Sequence, residues 1–270
     1  MRLATVPAAA GALWVRQGFA VFFLRPMAFA AMFASFLFAG FLLMLVPLFG
    51  PLLLSAMLPM VSLGFMVATR VVLDGHLPTP RSFVAPLQSD QPRRKAYVQL
   101  GAFYALATVA ILWLSDVADG GALDALMEGM ASGKMTPEQV AELVADPRLS
   151  LGLVLRFGLA AVLAVPFWHA PALVHWDAQS FAKSLFSSTI ACWRNRAAFT
   201  VYSLTWTAVI VIFALATSLV FALLGHAELI AIVTMPASLM FSTVFYASLY
   251  FSYAACFAPE PEPEPEVLLA

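Results

Sequence analysis

Long apolar segments separated by short polar ones dominate the chain from residue 27 onwards. A membrane-spanning helix needs about 20 mostly apolar residues, because at roughly 1.5 Å per residue they cross a hydrocarbon core of about 30 Å. Six segments meet this requirement, so the sequence predicts an all-α polytopic membrane protein with six transmembrane helices. The predicted spans are 27–46, 51–73, 96–114, 150–174, 197–224 and 229–257.

The first apolar run, residues 27–73, is too long for a single span. It contains the segment Pro47-Leu48-Phe49-Gly50-Pro51, in which two prolines flank a glycine. Such a combination interrupts a helix and favours a turn. We therefore predict a tight hairpin between the first and second spans.

The composition agrees with a lipid environment. Hydrophobic residues make up 62% of the 270 residues and charged residues 11%, and the mean hydropathy is +0.90. Soluble domains carry about 25% charged residues, so a soluble α/β enzyme, a disordered chain and a disulfide-rich secreted module are excluded. The net charge of −1 argues against nucleic-acid binding, which needs an excess of basic residues.

The basic residues are distributed unevenly between the two sides of the predicted bundle. Of the 14 Lys and Arg residues, Lys134, Arg148 and Arg156 fall on one side. The others lie in the N-terminal segment, at the end of the second span, or in the 74–96 and 175–196 loops. Because basic residues favour cytoplasmic loops, we predict that both termini are cytoplasmic. No cleavable signal is apparent, so the first span is expected to remain in the mature protein. The absence of a transit-type leader favours a bacterial inner membrane.

Residues 115–149 form the largest segment predicted to lie outside the bilayer, and this insert is acidic. Thr136, Pro137 and Gln139 have the spacing of a capping box with proline at the first helical position. Apolar faces before and after this helix start predict a small periplasmic helical hairpin on the membrane surface.

Arg156 is the basic residue placed deepest in a predicted span. It lies about one and a half turns into the fourth span, from which a long side chain can reach back to the interface. We expect it to pair with Asp116 or Asp146, and a substrate role is the alternative.

Two segments, 12–25 and 178–196, combine aromatic and basic residues with helical spacing. Cationic and aromatic side chains allow such helices to lie among anionic headgroups. We predict that both form amphipathic helices in the cytoplasmic interface, each leading into a span. In the second helix, Phe181, Leu185 and Trp193 are expected to enter the acyl boundary. The basic residues expected to contact anionic lipid there are Lys183, Arg194 and Arg196.

The last residues, 259–270, begin with four Pro-Glu repeats. Alternating proline and glutamate cannot pack a core and favours an extended conformation. We predict a disordered acidic tail after a single membrane domain, 1–258. The alternative is a tether that presents its apolar end to a protein partner or a protease.

The densest polar group consists of His169, His175 and Asp177, at the cytoplasmic end of the fourth span. The histidines are six residues apart, so a regular helix would not place them on one face. A metal site would need a further ligand, such as His76. Anchoring in the headgroup region, together with the neighbouring tryptophans, is the main alternative to ligand or proton binding.

The last span carries a polar stripe at helical spacing, which lies on one face of the predicted helix. It could line a pathway for an amphiphile or supply interhelical hydrogen bonds. The stripe consists of Ser238, Ser242, Tyr246, Tyr250 and Tyr253.

Six short motifs stand out along the chain: LWVRQGF (13–19), RP (25–26), PLFGPLL (47–53), GFM (64–66), APALV (170–174) and STIACWRN (188–195). Together they resemble an uncharacterised family of proteobacterial six-span inner-membrane proteins. The resemblance covers roughly residues 10–255 and implies no reaction, substrate or cofactor. The family usually has a proline near residues 197–198, which this chain lacks.

No Walker A, GxSxG, HExxH or GxGxxG motif in its required context is present. We therefore expect a protein without catalytic activity or a cofactor. A scaffold or accessory protein is the leading hypothesis, with membrane lipids as partners. A protein partner could dock on the acidic insert, the amphipathic helices or the tail. A transporter or lipid-handling protein is the alternative, and a cavity that reaches the bilayer midplane beside the last span would favour it.

Overall fold

The computed structural model describes residues 2–133, 135–226 and 229–258. Within these ranges the chain is almost entirely helical, and six helical segments are long and apolar enough to cross a membrane. The predicted all-α polytopic fold is therefore confirmed. The elements are β1 (Arg2–Leu3), α1 (Ala10–Leu24), α2 (Pro26–Met44), α3 (Phe49–Leu73), a 3-10 helix (Pro80–Gln88), α4 (Gln91–Asp119), α5 (Ala122–Ser132), α6 (Pro137–Ala145), α7 (Pro147–Phe167), α8 (Ala170–Asp177), α9 (Phe181–Arg194), α10 (Arg196–Leu224), α11 (Ile230–Cys256) and β2 (Phe257–Ala258). The predicted tail, 259–270, lies outside the described residues.

The predicted hairpin between the first two spans is present, as the turn between α2 and α3. The turn occupies residues 45–48, slightly earlier than predicted, and Leu48 has a φ of 65°. Pro51 falls in the first turn of α3, where its missing N–H group and fixed φ are tolerated. Gly50 lies against the backbone of Leu43, so the two helices approach closely where the chain reverses.

The acidic insert forms the predicted pair of short helices, α5 and α6. The capping box at the start of α6 is confirmed. The Gln139 backbone N–H donates to Thr136 Oγ1 at 3.3 Å, and the Thr136 N–H donates to Gln139 Oε1 at 2.9 Å. The predicted pairing of Arg156 is also confirmed, because its guanidinium forms a salt bridge with Asp116 that links α7 to α4.

The fourth span is divided in the structure, whereas the sequence predicts one segment, 150–174. Helix α7 ends at Phe167, and α8 begins at Ala170 after a break at Trp168 and His169. Pro171 lies in the first turn of α8, so its missing N–H cannot continue the hydrogen bonding of α7. After the break, α8 contacts α3 in addition to α4 and α9, which α7 also contacts.

Helix α1 is wedged between α10 and α11. Trp14 is only 1% exposed and Phe22 is 6% exposed, whereas Phe23 is 62% exposed. The segment 12–25 therefore forms the predicted helix, but two of its aromatic side chains pack in the core and not among headgroups.

Glycines allow the close approach of α1 to its neighbours. Gly11 lies against the backbone of Ala198 and Tyr202 in α10, and Gly18 lies against Ser248 and Val244 in α11. Because these contacts are with backbone atoms or a Cβ, a side chain at either glycine would push whole helices apart.

The two ends of the described chain meet at one end of the bundle. Strands β1 and β2 pair antiparallel, with Arg2 opposite Ala258 and Leu3 opposite Phe257. Asn195, between α9 and α10, holds the segment after β1. Its Oδ1 accepts from the Val6 N–H at 2.8 Å, and its Nδ2 donates to the Ala4 carbonyl at 3.1 Å. An even number of membrane crossings is required to bring both ends to the same side.

Candidate functional site

A cleft of ≈ 460 Å³ opens between α10 and α11. Helices α10 and α11 pack against each other much less extensively than either packs against α1, which leaves this space between them. The cleft, named here the α10–α11 cleft, is lined by Trp206 and Ile210 from α10 and by Ser238, Phe241, Ser242, Phe245 and Tyr246 from α11.

The α10–α11 cleft lies at the middle of both helices. Ile210 is the central residue of α10, and Ser242 is next to the central residue of α11. Both helices are long enough to cross the bilayer, so the cleft is placed at mid-depth in the hydrocarbon region.

The lining of the cleft is uncharged and mostly apolar, with a few polar groups. The Ser238 hydroxyl donates to the Met235 carbonyl at 2.7 Å and remains exposed as an acceptor. Trp206 Nε1 is buried and forms no hydrogen bond of normal geometry. It interacts weakly with the Tyr202 hydroxyl, one turn earlier in α10. Such a lining suits a neutral, mainly apolar molecule that carries a hydrogen-bonding oxygen.

The predicted polar stripe of α11 is divided between two environments. Ser238, Ser242 and Tyr246 line the cleft. Tyr250 and Tyr253 instead pack against Trp176 of α8, with ring centroids 5.7 Å and 4.9 Å away. Only the first part of the stripe is therefore available to a bound molecule.

Tyr246 also separates the α10–α11 cleft from a smaller cleft of ≈ 160 Å³ on the side of α3, α4 and α7. Its ring stacks on Phe65 of α3, with centroids 5.4 Å apart. Phe245 and Tyr246 line both clefts. These two side chains thus lie between the two clefts.

The structure does not bring His169 and His175 together. His169 is fully buried, with Nε2 3.1 Å from Ser252 Oγ and its backbone N–H donating to Ser188 Oγ at 3.0 Å. His175 lies on the other side of α8, where Nδ1 is 3.3 Å from the Tyr97 hydroxyl.

Asp177, the third member of the predicted polar cluster, accepts a hydrogen bond from the Tyr253 hydroxyl at 2.9 Å. It therefore ties α8 to α11 and is not aimed at either histidine. Among the described residues, no group of three His, Cys, Asp or Glu side chains could hold a metal ion.

Large side chains fill the centre of the bundle. Phe29, Phe65, Leu100 and Leu173 are fully buried there. Aromatic rings from α1, α10, α11 and the break after α7 pack around Tyr202 at centroid distances of 5.7–6.5 Å. The α10–α11 cleft therefore lies beside this filled centre and not within it.

Helix α9 has three distinct faces. Small residues, including Ser184, Ser188 and Cys192, pack against the bundle, while Phe186 and Trp193 are about 70% exposed. Burial raises the pKa of the Cys192 thiol to about 12, so this thiol stays protonated at neutral pH. The predicted basic residues Lys183, Arg194 and Arg196 are all exposed.

Sequence reasoning missed the buried polar residues that connect the helices. Ser248 hydrogen-bonds the Tyr202 hydroxyl at 2.7 Å, and Ser252 contacts both His169 and Trp168. Asn195 holds the N-terminal segment. Serine and asparagine at helix contacts carry no distinctive sequence pattern, so only the packing of α11 and α10 reveals them.

Comparison with known proteins gives one informative similarity. The chain is 33% identical over 267 residues to a probable inner membrane protein of Burkholderia thailandensis, and the match covers 96% of this chain and 95% of that protein. No family model matches the chain, and no solved structure matches it significantly.

Proposed function

The chain belongs to a family of uncharacterised inner-membrane proteins shared with this Burkholderia relative, and we propose that it is a non-catalytic accessory protein that binds a neutral lipid in the α10–α11 cleft. It is a multi-pass inner-membrane protein.

The position and chemistry of the α10–α11 cleft carry the proposal. The cleft is at mid-depth, beside α11, and its polar lining residues include Ser238, whose hydroxyl is exposed, and Ser242. A charged headgroup would lose its hydration at this depth at a cost of several kcal/mol. The favoured ligand is therefore a lipid whose polar part is a hydroxyl, ester or ketone.

The filled centre of the bundle supports binding over passage of a solute. Phe65 and Leu100 are fully buried where a central pathway would have to run. A ligand that enters from the lipid side can reach the α10–α11 cleft without any opening of the core. This favours the lipid-handling hypothesis over a solute transporter.

A scaffold role is the second candidate, and the acidic insert favours it. Helix α5 has no buried residue, and Met127, Met130 and Val144 are more than half exposed beside acidic side chains. An apolar surface ringed by acidic residues suits a protein partner with a basic rim.

A cleft-filling substitution provides the test of lipid binding. We expect Ser242→Phe largely to abolish retention of dioleoylglycerol or a polyprenol by the delipidated full-length protein, measured by native mass spectrometry. Ser238→Ala removes an exposed hydroxyl of the cleft, and should weaken retention about fivefold, as for one lost hydrogen bond. Ser203→Phe, at an exposed position of α10 outside the cleft, is the matched control. Equal retention by the Ser242 and Ser203 variants would refute the proposal.

A further inference from the structure

A second cavity, of ≈ 330 Å³, lies between the start of α4 and the connection from α8 to α9. We call it the basic cavity. From α4 it is lined by Asp90, Arg93, Lys95 and Gln99, and from the α8–α9 connection by Gln179 and Ser180. Its volume is at the lower end for ligand sites, which suits a small ion or a headgroup.

Two residues that line the basic cavity have a buried polar atom without a hydrogen bond to any described residue. Arg93 Nε is a donor that an anion can satisfy, whereas Gln179 Oε1 is an acceptor that a phosphate oxygen does not satisfy. Arg93 Nε lies 4.0 Å from Asp90 Oδ1, and that oxygen instead accepts from the Arg93 backbone N–H at 3.1 Å. Asp90 thus caps α4 and forms only a loose ion pair with Arg93, so the guanidinium keeps side-chain donors for another acceptor.

The backbone adds favourable electrostatics to the two basic side chains. Helix α9 begins at Phe181, and Ser180 provides no side-chain cap for its first amide groups. Ala178, with a φ of 50°, turns the chain so that Gln179 and Ser180 face α4. The partial positive charge at the start of α9 therefore adds to the charges of Arg93 and Lys95.

The basic cavity is at the end of the bundle where the chain termini meet. Gln179 also lines a neighbouring cavity together with Leu3 and Phe257, which are paired with each other in β1 and β2. Lys183 lines that neighbouring cavity too. The charge distribution predicts that this end faces the cytoplasm, where the leaflet is rich in anionic lipid.

We infer that the basic cavity binds a phosphate group, either in the headgroup of an anionic phospholipid or as free phosphate. A guanidinium donates along fixed directions that match phosphate oxygens, and the Lys95 ammonium adds a second charge. The Gln99 and Gln179 amides supply further donors at the same cavity. This site is separate from the α10–α11 cleft and does not depend on lipid binding there.

Native mass spectrometry of the full-length protein in neutral detergent tests the inference. Short-chain phosphatidylglycerol should be retained in preference to phosphatidylcholine, and Arg93→Gln with Lys95→Gln should reduce that preference about tenfold. Arg94→Gln changes an exposed neighbour that does not line the cavity, and should leave the preference unchanged. Arg93→Lys keeps the charge and should restore part of the preference. The thermal midpoint of each variant verifies folding.

A titration with inorganic phosphate separates the two sources of the ligand. Displacement of phosphatidylglycerol by millimolar phosphate would support a free-phosphate site, and retention in its presence would support a headgroup site. Equal losses in the double variant and in Arg94→Gln would mean diffuse surface charge and would overturn the inference. The inference would also be overturned if the protein bound neither phosphatidylglycerol nor phosphate. The Ser242→Phe variant should keep its preference for phosphatidylglycerol, which separates this site from the neutral-lipid proposal.

Discussion

Gly11→Ala is expected to lower the free energy of unfolding by about 3 kcal/mol, because its methyl group would collide with helix α10. A Cβ at this position would lie 2.5 Å from the Tyr202 backbone N and closer still to the Ala198 carbonyl oxygen. Backbone atoms cannot swing aside as a flexible side chain can, so α1 must move away from α10. That movement would also loosen the packing of Trp14, which is 1% exposed.

Gly158→Ala is the matched control for this prediction. Gly158 lies within α7, and a Cβ there would have no atom within 4 Å. The same substitution should be neutral or stabilising by about 0.5–1 kcal/mol, since alanine restricts the unfolded chain more than glycine does. Reversible unfolding of both variants in mixed detergent micelles gives the comparison. Equal stabilities of the two variants would mean that α1 is not docked as described.

Asn195→Ala is expected to release the N-terminal segment and to cost about 2–4 kcal/mol. The substitution leaves the Val6 N–H and the Ala4 carbonyl without their partner, at roughly 1–3 kcal/mol for each buried group. The loss of stability should appear first as local opening of the N-terminal segment, because β1 and the following residues are held only at this end of the bundle.

Hydrogen exchange measured by mass spectrometry locates the effect of Asn195→Ala. Amides of residues 3–8 should exchange much faster, while amides of α4 remain protected. Thr5→Val removes only an exposed hydrogen bond from Arg194 and should change the free energy of unfolding by less than about 0.5 kcal/mol. Unchanged hydrogen exchange of residues 3–8 in the Asn195 variant would contradict the role of Asn195 in holding the N-terminal segment.

Features determined by neighbouring residues could be predicted from the sequence. The proline-flanked turn before α3 and the capping box of Thr136 depend on local backbone chemistry. The Arg156–Asp116 salt bridge could be predicted because Arg156 lies near the end of a span, where an unpaired charge is costly. Helical spacing places Ser238, Ser242 and Tyr246 on one face of α11, but it does not distinguish a cleft lining from interhelical hydrogen bonding.

Features that depend on how helices pack could not be predicted in the same way. The sequence of α1 looks amphipathic, but Gly11 and Gly18 let it dock deeply between α10 and α11, which buries Trp14. The polar stripe of α11 leaves the cleft at Tyr250, because Tyr250 packs against Trp176 of α8. The position of Trp176 depends on the break at residues 168–169, which the sequence did not predict. The cleft itself exists because α10 stays apart from α11 at mid-depth, which is a property of the packing and not of either helix.

The α10–α11 cleft and the basic cavity have their proposed surroundings only if the chain crosses the membrane six times with both termini in the cytoplasm. Fusions of a fluorescent protein and of alkaline phosphatase after Ala270, and insertions of each reporter at Ser132 and after Leu48, measure this directly. We expect fluorescence without phosphatase activity after Ala270, and phosphatase activity without fluorescence at Ser132 and Leu48. Phosphatase activity after Ala270, or fluorescence at Ser132, would contradict the six-span arrangement.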